Sequence, residues 1–322
     1  MSENNTRRRN ARTRHNEQPL VIKWCLFLIF FAVIIGGIGC EPTPRYQGKA
    51  KILISPGPFS FPMMEARFVF LVDYLTQETG WKFDMIGAPS SDMAFAKMVK
   101  TKKFDVAFVN PYLFFILADT KGAVPVLKTI SIDGRDSYRG LIVCRDDSPI
   151  KSISDLRGKQ ILAPSRSTVG GFISQWILLK EQGLDPDRDF TYQFGITQEE
   201  IMEKIVSHHG EAGFIREDVY EAMKKASGKT PRIKVLAYTD FFPNPCVVAF
   251  PGTSPELVEK VKAALLKLKW DNPGHRFILE RIRSSGFSPS SAEDYKDFGE
   301  LLVSQGFFPS HTNSSSQTVP RQ

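Results

Sequence analysis

Short apolar runs alternate with amphipathic stretches along most of the chain, and this alternation limits the fold more than any other feature. "AKILIS" (50–55) reads as a strand. "PMMEARFVFLVDYLTQETG" (62–80) sets Met64, Phe68, Leu71 and Leu75 on one helical face and stops at Gly80. "KFDMIG" (82–87), a helix over 91–103 and "FDVAFV" (104–109) follow, and Pro111 opens another helix at its first turn. "VPVLKTISI" and "RGLIVCR" are strand-like. A second set starts near Asp146. The strands "QILAP", "FTYQFG" and "EAGFI" are each followed by a helix pattern, and "IKVLAYT" (233–239) and "CVVAF" (246–250) come after them. The last stretch reads as helical, with Ser254 as N-cap, Pro255 in the first turn and Glu256 near the positive helix end.

Strand–helix alternation predicts α/β sheets with right-handed crossovers. Two such sets, with the later helices returning to the first, predict two lobes of mixed sheet flanked by helices and joined by two hinge crossings. The expected boundaries are 49–143 with 240–308 for a discontinuous first lobe and 144–239 for the second, the crossings lying near 141–146 and 236–246. The polar segment 309–322 has the composition of a disordered tail.

The chain is 322 residues long with a net charge of +7. Residues 1–39 hold six basic and two acidic side chains, a net +4, which leaves +3 for the body. No basic stripe with interleaved aromatics occurs there, which argues against nucleic-acid binding. The basic start leads into "WCLFLIFFAVIIGGIG", sixteen uncharged residues, the length of a signal h-region and short for a membrane span of ~20. "GIGC" then resembles the lipobox of bacterial lipoproteins, with Gly37 where Leu is usual. Residues 1–39 are thus expected to be a signal peptide, Cys40 a lipidation site and 40–48 a linker; the alternative is an uncleaved N-terminal anchor. Either arrangement places the body outside the cytoplasmic membrane.

Of the remaining cysteines, Cys25 lies in the signal, while Cys144 and Cys246 fall near the expected crossings. They are either two buried thiols or, in an oxidising compartment, a bridge. No CxxC or histidine cluster suggests zinc, so neither metal nor cofactor is expected. His208 and His209 precede Gly210 at a helix end, where cationic side chains suit the dipole. No nucleophile elbow, HExxH or Ser/His/Asp set is visible, and an enzyme is not expected.

In open α/β sheets, ligands sit beyond the carboxyl ends of strands. Four such ends carry Pro56-Gly57-Pro58-Phe59, Asn110-Pro111-Tyr112, "SRSTVGG" (165–171) and Arg216-Glu217-Asp218. The third is the most informative. A helix start offers unpaired N–H groups and a positive end to an anion. Ser167 and Thr168 add hydroxyls, and Gly170 and Gly171 allow close backbone approach. The same residues also suit an ordinary N-cap and tight turn.

"YRGLIVCRDDSPIKSISDLRGKQILAPSRSTVGGF", together with "KFDVAFVNPYLF", "GEAGFIREDVY" and "PNPCVVAF" in order, resembles the phosphate/phosphite/phosphonate substrate-binding family of ABC transporters. The likeness covers roughly 49–300. It implies a two-lobed periplasmic-binding-protein fold of type II. The implied role is an extracytoplasmic, membrane-anchored lipoprotein, in the periplasm or at the cell surface, that captures a small phosphorus oxyanion for a permease. It implies that Ser167, Thr168 and the amides near Val169 and Gly170 hold phosphoryl oxygens. Asn110, the aromatic Tyr112 and Phe59 would contribute from the other strand ends. Val169 replaces a second serine of the pattern. Where the family has a histidine, Thr197 and Gln198 stand nearby, and Arg216 takes the place of a frequent acid. Arginine there favours a bare oxyanion or a ligand with two acidic ends over an aminoalkylphosphonate, unless it is a solvated first-turn residue. The resemblance further implies a monomer, a membrane tie through the N-terminal lipid and no cofactor. It equally allows a sensor subunit for a membrane kinase, or a binder of a sulfonate or a thiamine-precursor-like heterocycle.

Overall fold

A computed structural model describes residues 46–55, 61–89, 92–227 and 232–308. The expected signal peptide, Cys40, Phe59 and the tail from 309 lie outside the described residues. The strands form two sheets. The first holds β1 (Gly48–Ile54), β2 (Trp81–Gly87), β3 (Val106–Val109), β4 (Val124–Ile130), β10 (Cys246–Ala249) and β11 (Gly286–Pro289), in the order β11-β4-β10-β3-β1-β2. The second holds β5 (Ser137–Arg145), β6 (Gln160–Leu162), β7 (Thr191–Gln193), β8 (Ala212–Arg216) and β9 (Ile233–Pro243), in the order β7-β6-β8-β5-β9. Strands that follow one another through a helix run in the same direction, and the strand that arrives from the other sheet runs against its neighbours. Thus β2, β1 and β3 run parallel, and β10 runs against β3. Likewise β7, β6 and β8 run parallel, and β5 runs against β8.

Helix α1 (Phe61–Thr79) buries the expected face, Met64, Phe68, Leu71 and Leu75, against the first sheet. Helices α2 (Asp92–Thr101), α3 (Pro111–Lys121), α7 (Pro255–Lys267) and α8 (Pro273–Arg281) complete that lobe. Around the second sheet lie α4 (Ile173–Glu181), α5 (Gln198–Val206) and α6 (Glu217–Ser227).

The boundaries differ from the sequence expectation. All of β5 pairs within the second sheet, so the first crossing is 131–136 and not 141–146. β9 continues through Phe241 to Pro243 by pairing with Ser137–Arg139, so the second crossing shrinks to 244–245. β11, short and carrying Gly, Ser and Pro, pairs with β4 where only helix was expected. The final helix α9 (Lys296–Ser304) is not confined to the first lobe, although Gly299 and Phe298 touch Phe115 of α3. Phe298 and Leu302 join the second lobe's core with Tyr138 and Phe242.

A buried amide ties these passes together. Asn244 Nδ2 donates to the carbonyls of Thr129 and Arg135 at 2.9 and 3.0 Å and reaches Ser131 Oγ at 3.1 Å. The Asn244 carbonyl accepts from the Tyr295 hydroxyl just ahead of α9. The cysteines are both free and buried, which rules out the bridge. Cys246 follows the second crossing directly. Cys144 sits near the far end of β5 opposite Ala212, in the other sheet.

Candidate functional site

The carboxyl ends of β3 and β8, and the turn after β6, meet at the cleft between the two sheets. The turn begins at Ser165, whose hydroxyl is 2.7 Å from that of Thr168 and 3.3 Å from that of Ser167. Val169–Gly171 form one turn of 3-10 helix, and α4 follows. The Val169 side chain points into the second lobe's core and holds the turn from beneath. Ser167 and Thr168 therefore present hydroxyls beside a helix start.

Gly170 is required by close approach. A Cβ there would lie 2.6 Å from the Tyr138 ring and 2.8 Å from Cγ of Arg216. The Gly170 backbone hydrogen-bonds to the Tyr138 hydroxyl, whose pKa burial pushes up to about 12. The Arg216 guanidinium stacks over the Tyr138 ring, 4.2 Å from its centroid. The alternative of a solvated Arg216 is overturned, because its side chain is only 17% exposed. Burial alone would lower its pKa. The charge of Asp218, Tyr138 and the hydrogen bond to Asp218 outweigh that and raise it. Asp218 grips the guanidinium through Nε and Nη2 at 2.8 and 2.9 Å.

Other expected ligand residues have structural partners. Thr197 caps α5, accepting from Glu200 N–H in a reciprocal capping box. Gln198 is buried, and its Oε1 accepts the Arg216 N–H at 2.6 Å, which fixes the end of β8. Tyr112 turns its ring toward Phe307 and Phe308, at centroid distances of 6.2 and 5.4 Å. Asn110 has two roles. Its Oδ1 caps α3 at Leu113 N–H, and its Nδ2 donates across the cleft to the Ser167 carbonyl at 3.0 Å.

Three further residues escape sequence reasoning. Gln175 is fully buried, and its Nε2 lies 3.0–3.2 Å from the carbonyls of Gly170, Leu141 and Ile215, joining the turn to both β5 and β8. A polar residue in the apolar run "FISQWILL" is the signal that could have exposed it. Arg67 of α1 donates Nε to the Arg281 carbonyl. Burial, then the nearby Arg216 charge, push its pKa down to about 10, against the pull of Asp218. Arg283 pairs across the cleft with Glu199 of α5. Burial and then Arg67 push its pKa down to about 10 as well. Its φ of 54° is left-handed, a conformation uncommon outside glycine.

Comparison with known proteins identifies the fold and the family. The model of the family described as "ABC transporter, phosphonate, periplasmic substrate-binding protein" matches residues 59–295. A binding-protein component of an ABC phosphonate transporter from Pseudomonas aeruginosa superposes with a TM-score of 0.69 at 15% identity, covering 80% of this chain and 87% of that one. PhnD1 of Prochlorococcus marinus, solved with methylphosphonate, gives 0.69 at 16%, covering 83% and 100%. A Xanthomonas citri protein bound to ATP gives 0.61 at 17%, covering 79% and 96%. The fold is that of type II periplasmic binding proteins, α/β with two mixed sheets. With the family pattern matched over most of its length, the chain belongs to the periplasmic substrate-binding proteins of phosphonate ABC transporters.

Proposed function

We propose that the protein captures a small phosphorus oxyanion (phosphate, phosphite or a phosphonate) outside the cytoplasmic membrane and delivers it to an ABC permease, tethered by a lipid on Cys40. The observation that carries this reading is the Ser165–Gly171 turn. Two hydroxyls and a helix start lie beside the buried Arg216, and Asn110 of the opposite lobe donates to the same turn. In this reading the Ser167 and Thr168 hydroxyls and the amides near Val169 and Gly170 donate to phosphoryl oxygens, and Arg216 balances the charge. Closing the lobes removes water and strengthens each of those bonds. The protein carries its ligand and does no chemistry on it. The methylphosphonate in the Prochlorococcus marinus relative supports the ligand class.

The test is a thermal-shift panel on the full chain in detergent, unfolded and refolded to remove carried ligand. The panel is phosphate, phosphite, methylphosphonate, 2-aminoethylphosphonate, sulfate and taurine. A ligand at ~100 times its Kd adds about 2.7 kcal/mol of stability. The expected result is a shift with a phosphorus oxyanion that Thr168→Ala abolishes. A shift with taurine or sulfate alone, or with nothing, overturns the reading.

A further inference from the structure

The last described residues, Phe307 and Phe308, reach both lobes at once. Gly306 ends α9 with a φ of 84°, in the left-handed region that glycine takes without strain. The Gly306 N–H donates to the Val303 carbonyl at 3.0 Å and the Phe307 N–H to the Leu302 carbonyl at 2.9 Å, the paired bonds of a Schellman turn. Because α9 is anchored in the second lobe's core through Phe298 and Leu302, this turn fixes where the two phenylalanines leave the helix. Phe307 meets the Trp176 ring of α4 edge to face, with centroids 5.0 Å apart and planes at 71°. Its other neighbour is Tyr112 of α3, at 6.2 Å and 78°. Phe308 lies 5.4 Å from Tyr112 and 6.3 Å from Phe115, which share one face of α3. Tyr112 and Phe115 in turn pack against the cores of both lobes.

Both of the helices joined in this way start at the cleft. α4 follows directly on the Ser165–Gly171 turn, and Trp176 lies in its first turn. α3 begins at its N-cap Asn110, whose Nδ2 donates to the Ser167 carbonyl of that same turn at 3.0 Å, and Tyr112 is the second residue of the helix. One hydrogen bond between two bodies fixes a distance but leaves their relative tilt free. Aromatic rings packed edge to face on either side restrict tilt as well, because such pairs hold a preferred separation and angle. The rings of Phe307 and Phe308 stand where a change in the approach of α3 to α4 must disturb them.

We infer that Phe307 and Phe308 are positioning residues for binding: by clasping Tyr112 to Trp176 they set how closely Asn110 approaches the Ser165–Gly171 turn, and through it the affinity for the oxyanion. This rests on the reading of that turn as the oxyanion site.

The experiment is calorimetric titration of the refolded full chain with phosphate, phosphite and methylphosphonate. It compares the wild type, the Phe307→Ala/Phe308→Ala double variant, Asn110→Ser and the combination of all three substitutions. Serine keeps an N-cap for α3 but lacks the amide that reaches Ser167. The double variant is expected to bind the oxyanion that the wild type prefers about tenfold more weakly, a loss of the size that aromatic pairs supply. In the Asn110→Ser background the same two substitutions are expected to change affinity by less than about twofold, because the group through which the clasp acts is gone. A merely structural role would show no such dependence on Asn110. Unchanged affinity in the double variant, or an equal loss with and without Asn110, overturns the clasp and leaves the turn's role intact. No binding of any of the three anions by the wild type overturns the reading of the turn and the clasp with it. Should the double variant not fold, Phe307→Leu and Phe308→Leu carry the same comparison, with an expected loss of about threefold.

Discussion

The two ends of the second sheet invite comparison. Titratable groups gather at both, the far end being where β6 and β8 begin. Arg145, Lys159, His208, His209, Asp155 and Glu211 line a cavity there of about 680 Å³. The cleft end also holds several such groups, Arg139, Arg216, Glu217 and Asp218 among them, set beside buried amides and hydroxyls. At the far end the charges settle with one another in water: Lys159 pairs with Glu211, their side chains 38% and 50% exposed, and Arg145 meets Asp147 and His208. Exposed pairs of this kind contribute about 0–1 kcal/mol. At the cleft end each polar group is enclosed and positioned by another: Gln175 holds Gly170, Gln198 holds Arg216, and Asp218 grips the guanidinium. Charge density therefore does not tell the two ends apart, whereas dry, pre-positioned donors do.

This contrast can be broken by substitution. Gly170→Ala should have the largest effect, because the added methyl meets the Tyr138 ring and Arg216. We expect a loss of roughly 1–3 kcal/mol in stability by melting, together with loss of the oxyanion shift. Wild-type binding in that variant would show that the close approach has no consequence.

A smaller effect is expected from acid. Glu217, next to Arg216, bridges Arg139 of β5 and Arg135 of the first crossing. Burial would raise its pKa, but the bonds and charges of those arginines outweigh burial and lower it. A lowered folded-state pKa means stability that is present above the ordinary value of 4.5 and lost as the pH falls through the lower folded value. The stability gap between wild type and Glu217→Gln, read by chemical denaturation, should therefore shrink from about pH 6 to about pH 3.5. A gap that does not change would mean the bridge carries no net stability.

The smallest effect belongs to the far end. Lys159→Ala and His209→Ala should change stability by less than about 0.5 kcal/mol and leave oxyanion affinity unaltered. A loss of affinity in either would remove the distinction between the two ends.

What could be read from residue order follows the range of the forces involved. Elements with local periodicity were legible, as the α1 face shows. β11 was not, because "GFSP" has no alternation and becomes a strand only through β4. The extension of β9 through "DFFP" depends on its partner, Ser137–Arg139. The turn at 165–171 was legible as a turn because its hydroxyls and glycines are contiguous. Arg67 was not: it reads as one more helical arginine until a carbonyl 214 residues away accepts its Nε. Thr197 and Gln198 were placed in the right neighbourhood, but a hydroxyl at an N-cap and an amide on a strand end look the same in a sequence as a pair of ligand donors.

Asn244 has a mechanical consequence. The chain passes between the lobes three times: at 131–136, at 244–245, and again between Tyr295 and α9. Loose threads would let two bodies slide, shear and twist. Here one amide side chain and its own carbonyl fasten all three passes at a single buried point. Translation at that point would break several hydrogen bonds together, whereas rotation about it need break none. Any rotation of the lobes would thus turn on a fixed fulcrum, and a small change of angle at Asn244 would become a wide swing at the rim, where Arg283 of one arm finds Glu199 of the other.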